Sequence, residues 1–457
     1  MTSATGPGSA PPRDTLGRAV QSHVYRAGAL GRRPRVPVAP DRLQRAARRA
    51  MSRRAWAYVA GSAGTEATAA ANRAALDRHR LVPRVLRDVA VRDLGTEVLG
   101  RRRATPLLLA PMGAMGLVRR DADLAVARAA GAARVPLVVS TQASTPMEDT
   151  ARALGGGEWW FQLYWSRDDD LVTSLVRRAE AAGASALVVT LDTHVLGWRP
   201  RDLDLGHLPF ARGEGIAQYT SDPVFLELVH RRARTAPSGP RPRPTPAALA
   251  TLASLTARFP GGSFAERLRS PLPRAAVETF LDVFSRSDLT WQHLARLRER
   301  TRLPILLKGV QHADDASRAL DAGVDGVVVS NHGGRQVDGA VGALDALPAV
   351  VARVGGRVPV LFDSGVRTGA DVAKALALGA DLVGLGRPWA YGLAVGGAAG
   401  VGEVVRNVLA ELDLTLALLG ARDVADLRQP GVLGGSTASS VPGADDVVGT
   451  ADGGAPA

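Results

Sequence analysis

The chain predicts an α/β protein built on a (β/α)8 TIM barrel, with an N-terminal helical segment and a long insertion after the fourth strand. Three observations carry this expectation. Eight short apolar runs recur along the chain, each bounded by turn or helix-start signals. Helical patterns fill most of the spaces between them, and buried strands alternating with helices imply a parallel sheet. Polar residues gather at the carboxyl ends of the runs, the edge on which such barrels carry their chemistry. An open doubly wound sheet is the competing reading. The eightfold repeat weighs against it, and no GxGxxG follows the first run.

In chain order the expected strands are Pro106–Ala110, Val135–Ser140, Trp160–Tyr164 and Ala186–Leu191, then Pro304–Leu307, Gly326–Ser330, Pro359–Phe362 and Asp381–Leu385. Each is short and rich in branched residues, as strands buried on both faces are. Thr145-Pro146-Met147-Glu148 reads as a capping box with proline at the first helical position. Ser166 and Thr368 are expected to cap the helices that follow their strands. Residues 1–50 read as a basic, flexible arm with a basic helix face, and residues 51–430 as the barrel. Between Leu191 and Pro304 lie 112 residues, and the excess, 205–286, is read as a lid, because it follows a strand's carboxyl end. Its centre, Ala236–Pro246, is proline-rich and reads as extended. Residues 431–457, rich in Gly, Ala and Ser, read as a disordered tail.

The turn after the sixth strand is the most informative segment. There GVVVS runs into Asn331-His332-Gly333-Gly334-Arg335-Gln336, where two glycines let the backbone bend and approach a ligand. His332 offers a base that titrates near neutrality, and Arg335 a planar fork for a carboxylate. A base beside a carboxylate clamp suits removal of a proton or hydride next to a carboxylate; the plainer alternative is a solvated loop histidine. Ser140, Gln162, Tyr164, Thr190, Asp192 and Lys308 stand on the same rim. Any one of them could be structural, and their convergence is the stronger argument. Of 57 basic residues only Lys308 and Lys374 are lysines. Lys308, at a strand end, can set a compact ammonium against an electron-rich cofactor edge; Lys374, within a helical pattern, reads as a surface or packing residue. After the seventh and eighth strands, the stretch from Asp363 through Ser364, Gly365 and Arg367 to Gly369 joins Gly384-Leu385-Gly386-Arg387-Pro388. Glycine amides, helix N-termini and two arginines suit a phosphate, and barrels often bind one there.

Composition fits a cytoplasmic enzyme. There is no cysteine, hence no disulfide and no cysteine metal site, and no metal is expected. The N-terminus lacks an apolar signal core, and no apolar run approaches the ~20 residues of a membrane span. The net charge of +13 is concentrated at the front, where residues 1–55 hold twelve arginines against Asp14 and Asp41, a net of +10. Such an arm can bind polyanions or a membrane surface. A tail plus a basic helix face is the preferred reading, and no nucleic-acid partner is expected.

SNHGGRQ, with LLAPMG, WFQLYW, VVTLDT, PILLKG, FDSGVRTGADV and GLGRP, resembles the FMN-dependent α-hydroxy-acid dehydrogenase/oxidase family over roughly Trp56 to Leu427. GWRPRDLDLG and QYTSDPVF are most similar to lactate 2-monooxygenase within it. The resemblance implies FMN as cofactor, a small 2-hydroxy acid and dioxygen as partners, and a homo-oligomer of four or more copies. It implies His332 as catalytic base, Asp192 stabilising its imidazolium, and Tyr164 contacting the substrate hydroxyl. Arg335, Arg199 and Tyr58 would hold the substrate carboxylate. Lys308 would face the flavin N1/O2 edge, with Ser140, Gln162, Thr190 and the Pro111-Met112-Gly113 backbone around the ring. Ser330, Asp363, Ser364, Gly365 and Arg367 would address the ribityl and phosphate region, and Gly386 and Arg387 the phosphate. A dehydrogenase using a quinone or protein acceptor is the alternative, and a polyanion-binding flavoprotein without turnover the reading from another class. The chain departs from relatives at GLVRRDAD, at His194 and in the length of the lid.

Overall fold

The computed structural model describes residues 15–235 and 245–434; most of the proline-rich centre of the insertion and of the expected C-terminal tail lie outside these residues, as do residues 1–14. Eight parallel strands close a barrel. They are β1 (Leu107–Leu109), β2 (Leu137–Ser140), β3 (Trp159–Leu163), β4 (Leu187–Thr190), β5 (Ile305–Val310), β6 (Gly326–Val329), β7 (Val360–Phe362) and β8 (Leu382–Leu385). All eight lie on the expected runs. β8 pairs with β1, so no barrel edge is left open.

The two-residue period of a strand explains where the site must be. Leu108, Val138, Trp160, Val188, Leu306, Val328, Leu361 and Leu382 share one buried apolar cluster. They point into the barrel, whose interior is packed rather than hollow. Trp160, fully buried, is the largest of them, and truncating such a ring to alanine costs about 3–5 kcal/mol. Two residues further along the strands the inward positions turn polar: Ser140, Gln162, Thr190, Lys308, Ser330 and Asp363, all buried. The barrel therefore changes from apolar plug to polar floor within one pleat, at the carboxyl ends. At the opposite end a hairpin, Thr96–Val98 with Arg101–Arg103, closes the mouth. Arg103 is buried there, ion-paired to Glu158 and lying 5.6 Å from the Trp160 ring centroid.

Outside the barrel, helices α1 (Leu16–Ala29), α2 (Pro40–Ala50), α3 (Arg53–Ala60) and α4 (Ala67–Arg78) precede β1. The expectation of a flexible arm over residues 1–50 fails for the part described. α1 and α2 both pack on the long helix Arg387–Leu419. Gly17 is buried, its N–H donates to Asp413, and α2 buries Leu43 and Ala47 while its arginines face outward. The helix Arg387–Leu419 is long and apolar enough to cross a membrane, contrary to the estimate from apolar runs. It breaks its helical geometry at Gly397, and many of its apolar residues, Val405, Leu412 and Leu416 among them, are buried against neighbouring elements, while Leu418 is exposed.

Two helix caps also differ from expectation. The helix Met147–Leu154 has Pro146 at its N-cap with no side-chain cap, while Glu148 forms a two-bond ion pair with Arg178. After β3 the cap is Asp168, whose carboxylate accepts from Leu171 N–H at 2.8 Å. Ser166 instead donates to Val283 O and accepts from Asp168 N–H, tying the barrel to the insertion. Thr368 does cap Gly369–Ala377, in a box with Asp371. The insertion is helical where described: Pro223–Thr235, Pro246–Arg258, Phe264–Arg269 and Leu272–Val283 follow two short turns. Phe210, Tyr219, Phe225 and Phe280 form its buried aromatic centre.

Candidate active site

The turn after β6 takes an unusual path. His332, Gly333 and Gly334 all have positive φ, at 57°, 67° and 77°. Gly334 is obligatory, since a Cβ there would lie 2.6 Å from Ala69 N. A left-handed histidine is strained by about 1–3 kcal/mol. Local bonds hold it, for His332 N–H donates to Ser330 Oγ and Gly333 N–H to Ser364 Oγ. The imidazole is thereby turned toward the end of β4. Its Nδ1 lies 2.9 Å from Asp192 Oδ1, and Thr193 Oγ donates to the same carboxylate oxygen. Gly309, at a bulge in β5, makes room for Asp192; a Cβ there would meet the aspartate Cβ at 2.9 Å.

This pairing sets the tautomer. A carboxylate can only accept, so Nδ1 carries the proton and Nε2 presents its lone pair to the cavity, where Tyr164 OH stands 3.5 Å away. Burial lowers the His332 pKa below its usual value, against the pull of Asp192, and so favours the neutral base. Burial opposes ionisation of Asp192, but the histidine bond and the Lys308 charge outweigh it, leaving its pKa at about 2. Burial, reinforced by Asp192, raises the Tyr164 phenol, which stays protonated.

Beside the imidazole, Arg335 donates to the carbonyls of Tyr58 and Gly61, and its guanidinium sits 5.0 Å from the Tyr58 ring centroid. Arg199 reaches the same place from the insertion side, donating to Arg335 O and to Gln336 Oε1. Neither arginine has a carboxylate partner among the described residues, so both keep donors for an anion. Burial and the Arg335 charge lower the Arg199 pKa to about 10, which still leaves it charged at neutral pH.

The floor is wired in two chains. Ser140 donates to Gln162, whose amide donates to Thr190 at 2.9 Å. Lys308 donates to Ser330 at 2.7 Å and pairs with Asp363 at 3.1 Å. Burial pulls the Lys308 pKa down, but Asp363 and Asp192 more than restore it, so the ammonium stays charged.

The far end of the cavity is cationic. Arg367 and Arg387 are both half-buried, and among the described residues neither pairs with a carboxylate. Arg387 gives four of its five N–H donors to the carbonyls of Val59, Gly61 and Gly333 and to Ser62 Oγ, and keeps one on Nη1. Burial and the Arg367 charge lower its pKa to about 9. Two neighbouring half-buried guanidinium groups repel one another, and an anion bound between them relieves that repulsion. Gly386 sits at the N-cap of the long helix, and space is open where its Cβ would be. A phosphate fits this donor set, and a planar polar ring fits the floor that leads from it to His332. FMN has that shape and those needs.

One cavity, partly open to solvent, joins all three regions. Of the residues expected from sequence, Pro111, Met112, Gly113, Gln162 and Lys308 line its floor, and Tyr58, Tyr164, Arg199, His332 and Arg335 its mouth. Asp363 to Gly365, Arg367, Gly386 and Arg387 line its far end. Ser140, Thr190, Asp192 and Ser330 stand behind the wall, each bonded to a lining residue. Lys374 donates to Leu76 O and His194 is exposed, so both lie apart from the cavity. Sequence reasoning missed Gln142, Thr193, Leu196 and Phe210 in the wall. Thr193 and Gln142 were within reach, two or fewer residues from Asp192 and Ser140; Leu196 and Phe210 carry no local signal.

Comparison with known proteins agrees with this geometry. The family model described as FMN-dependent dehydrogenase matches residues 47–433. The chain is 42% identical over 410 residues, 90% of its length and 94% of the relative's, to FMN-dependent alpha-hydroxy acid dehydrogenase qulF of Penicillium citrinum. It is 39% identical to an L-lactate oxidase of Lysinibacillus sphaericus, covering 82% of this chain and 86% of that one. A crystal structure of mandelate oxidase with (S)-4-hydroxymandelic acid superposes with a TM-score of 0.71 at 36% identity, covering 87% and 98% of the two chains.

Proposed function

This chain belongs to the FMN-dependent dehydrogenase family, and from that premise we propose that it oxidises a small L-2-hydroxy acid to the 2-oxo acid with dioxygen as acceptor. FMN-dependent oxidation of an α-hydroxy acid is common ground with its relatives; the substrate side chain, the acceptor and the residue roles are our reading. The observation that carries it is the 2.9 Å His332–Asp192 pair opening onto a two-arginine clamp. When bound, FMN supplies a two-electron acceptor that hands the pair on to dioxygen.

The protein's own part is to bind, orient and deprotonate. Arg335 and Arg199 take the substrate carboxylate with their unspent donors, as planar forks do. Tyr58, stacked on Arg335, closes that side. The carboxylate then fixes the α-carbon between the imidazole and the polar floor. Tyr164, kept as a neutral phenol, donates to the substrate hydroxyl. His332 Nε2 accepts the proton that leaves with oxidation, and Asp192 stabilises the resulting imidazolium. Lys308 holds a fixed positive charge under the place where negative charge accumulates. Arg367, Arg387 and the helix start at Gly386 hold the phosphate, with Ser364 and Gly365 beside it.

Atoms balance as 2-hydroxy acid plus dioxygen giving 2-oxo acid plus hydrogen peroxide. Leu196 and Phe210 line the same cavity, and how long the two products share it decides the outcome. Retention would let peroxide decarboxylate the oxo acid, a monooxygenase outcome; prompt release is the oxidase outcome. The test is anaerobic flavin reduction by L-lactate, glycolate and (S)-mandelate, followed by air and product analysis. Pyruvate plus peroxide from lactate supports the oxidase reading, and acetate plus carbon dioxide the monooxygenase one. Reduced flavin that persists in air but is reoxidised by a quinone would replace dioxygen as acceptor.

A further inference from the structure

We propose that Asn72, on α4, is a positioning residue for this reaction, acting through Asn331 to hold the turn that carries His332 and Arg335. This rests on the roles given to those two residues above. Asn72 is 1% exposed and Asn331 6%, and they form a reciprocal amide pair. Asn72 Nδ2 donates to Asn331 Oδ1 at 2.8 Å, and Asn331 Nδ2 donates to Asn72 Oδ1 at 2.7 Å. Asn72 does not itself line the cavity; its backbone and Cβ lie against Gly365, whereas its amide bonds go to Asn331 and Ala343, so the amide acts on the His332 turn through its partner.

What the pair closes is specific. Asn331 Oδ1 also accepts from Gly334 N–H at 3.1 Å, and its Nδ2 also donates to Val341 O at 3.1 Å. Asn72 Oδ1 accepts in addition from Ala343 N–H at 2.8 Å. The two amides thus tie the start of the loop, at Gly334, to its end, at Val341 and Ala343. Between those ends lies Arg335, and immediately before them His332. The rest of the loop leans on the same helix. Thr68 Oγ donates to Val337 O and accepts from Ala340 N–H, both at 2.8 Å. Asp338 accepts from Ala67 N–H and from Thr65 Oγ at the start of α4. Gly334 lies flat on Ala69.

The left-handed run His332–Gly334 is intrinsically unfavourable for a histidine, so something must over-determine it. A primary side-chain amide carries its donor and its acceptor on separate atoms of one planar fork, which a reciprocal pair uses. Leucine at position 72 keeps the branched shape, with bulkier methyl groups, and removes all three amide bonds. Asn331 would then keep Gly334 and Val341 but lose its anchor to α4, and the imidazole would drift from its place over the substrate. Misplacement of about 1 Å can lower a rate by ~10²-fold.

The experiment is a double-mutant cycle on the FMN-loaded enzyme, read by rapid anaerobic flavin reduction. Asn72→Leu is expected to retain flavin and to reduce it about tenfold or more slowly per bound flavin, with weaker substrate binding because Arg335 shares the turn. In a His332→Gln background the same substitution should change the residual rate by less than about twofold, since the group it positions is gone. Asn72→Ser, whose hydroxyl can still receive Ala343 N–H, serves the same cycle if the leucine variant fails to fold. A variant that is less heat-stable yet reduces its flavin at the parental rate overturns the proposal and leaves Asn72 a folding residue. Full additivity with His332→Gln also overturns it. If His332→Gln alone reduces flavin normally, the base assignment fails instead, a separate result visible in the same cycle.

Discussion

Asp192 Oδ1 and His332 Nδ1 stand 2.9 Å apart although 140 residues separate them, and this contact joins the ends of two barrel strands. The aspartate is acceptor-only, so it settles both the ring's tautomer and its orientation. The first prediction follows. His332→Gln should keep its flavin, because the phosphate and floor contacts come from other strands, and lose about 10²–10⁴-fold in the rate of anaerobic reduction. Asp192→Asn should lose less, since the base remains but its tautomer is no longer imposed. A His332→Gln enzyme reduced at the parental rate would falsify the assignment.

The pH dependence has a determined sign. Burial lowers the His332 pKa from its ordinary 6.5, and in the proposed reaction the neutral form is the one that accepts the proton. The value of kcat/KM, which reports the free enzyme, should therefore fall as pH drops through a midpoint below 6.5 and be level above it. Asp192, at about 2, stays anionic through that window and adds no second step. An acid limb centred above pH 7 would mean that the aspartate's pull exceeds the effect of burial.

Removing a cation from the far end should act on the cofactor rather than on the chemistry. Arg387→Met leaves Arg367 as the one guanidinium of that pair and takes a donor from Gly333 O and Gly61 O. FMN should dissociate at least about tenfold more readily, as losing one charged hydrogen bond to a phosphate costs roughly 1.5–3 kcal/mol. Flavin release on gel filtration measures this. Unchanged retention would move the phosphate elsewhere.

Much of this was legible in the sequence because strand ends are local objects. The GVVVS run and the turn after it place His332 and Arg335 together without any long-range knowledge, and β6 is where the run is. Each inward polar residue follows an apolar one by two positions, which a strand's period alone implies. Caps were less legible. Thr145 and Ser166 have cap chemistry, but which residue takes the cap depends on where the chain leaves the strand, and Pro146 and Asp168 hold those places. The N-terminal helices were hidden for another reason. α1 fully buries only Gly17, and its short stripe of Val20, Val24 and Ala27 is half-buried, a weak signal among the arginines of the N-terminal segment. Asn72 and Asn331 are 259 residues apart, and nothing near either announces the pair.

The docking of α1 can be tested at that glycine. A Cβ at position 17 would lie 2.5 Å from Leu414 Cγ and 2.7 Å from Ala410 O. Gly17→Val should therefore destabilise the protein by about 1–3 kcal/mol, the range for overpacking. Turnover per bound flavin should not change, because α1 lies far from the cavity wall. A melting temperature equal to the parent's would mean that α1 is not held against the long helix in solution.

Phe210 sets the last expectation. It lines the cavity yet is only 2% exposed, because its other face rests on Phe280, with ring centroids 5.3 Å apart. The turn that carries it is bolted to the helix Pro246–Arg258. Arg258 pairs with Glu214, Ser254 Oγ donates to Arg212 O, and Arg212 donates to Thr251 Oγ. The insertion thus delivers one rigid aromatic wall to a site whose charged groups all come from elsewhere. Such a wall should discriminate by substrate bulk, and one methylene in a hydrophobic pocket is worth about 1–3 kcal/mol. Phe210→Ala should lower kcat/KM for L-lactate and raise it for (S)-mandelate relative to lactate, by about tenfold or more in the ratio. The variant will also lose stability, by about 3–5 kcal/mol, so the ratio rather than either constant is the measurement. If the ratio stays put while the enzyme remains folded, Phe210 supports the insertion's core and another residue chooses the substrate.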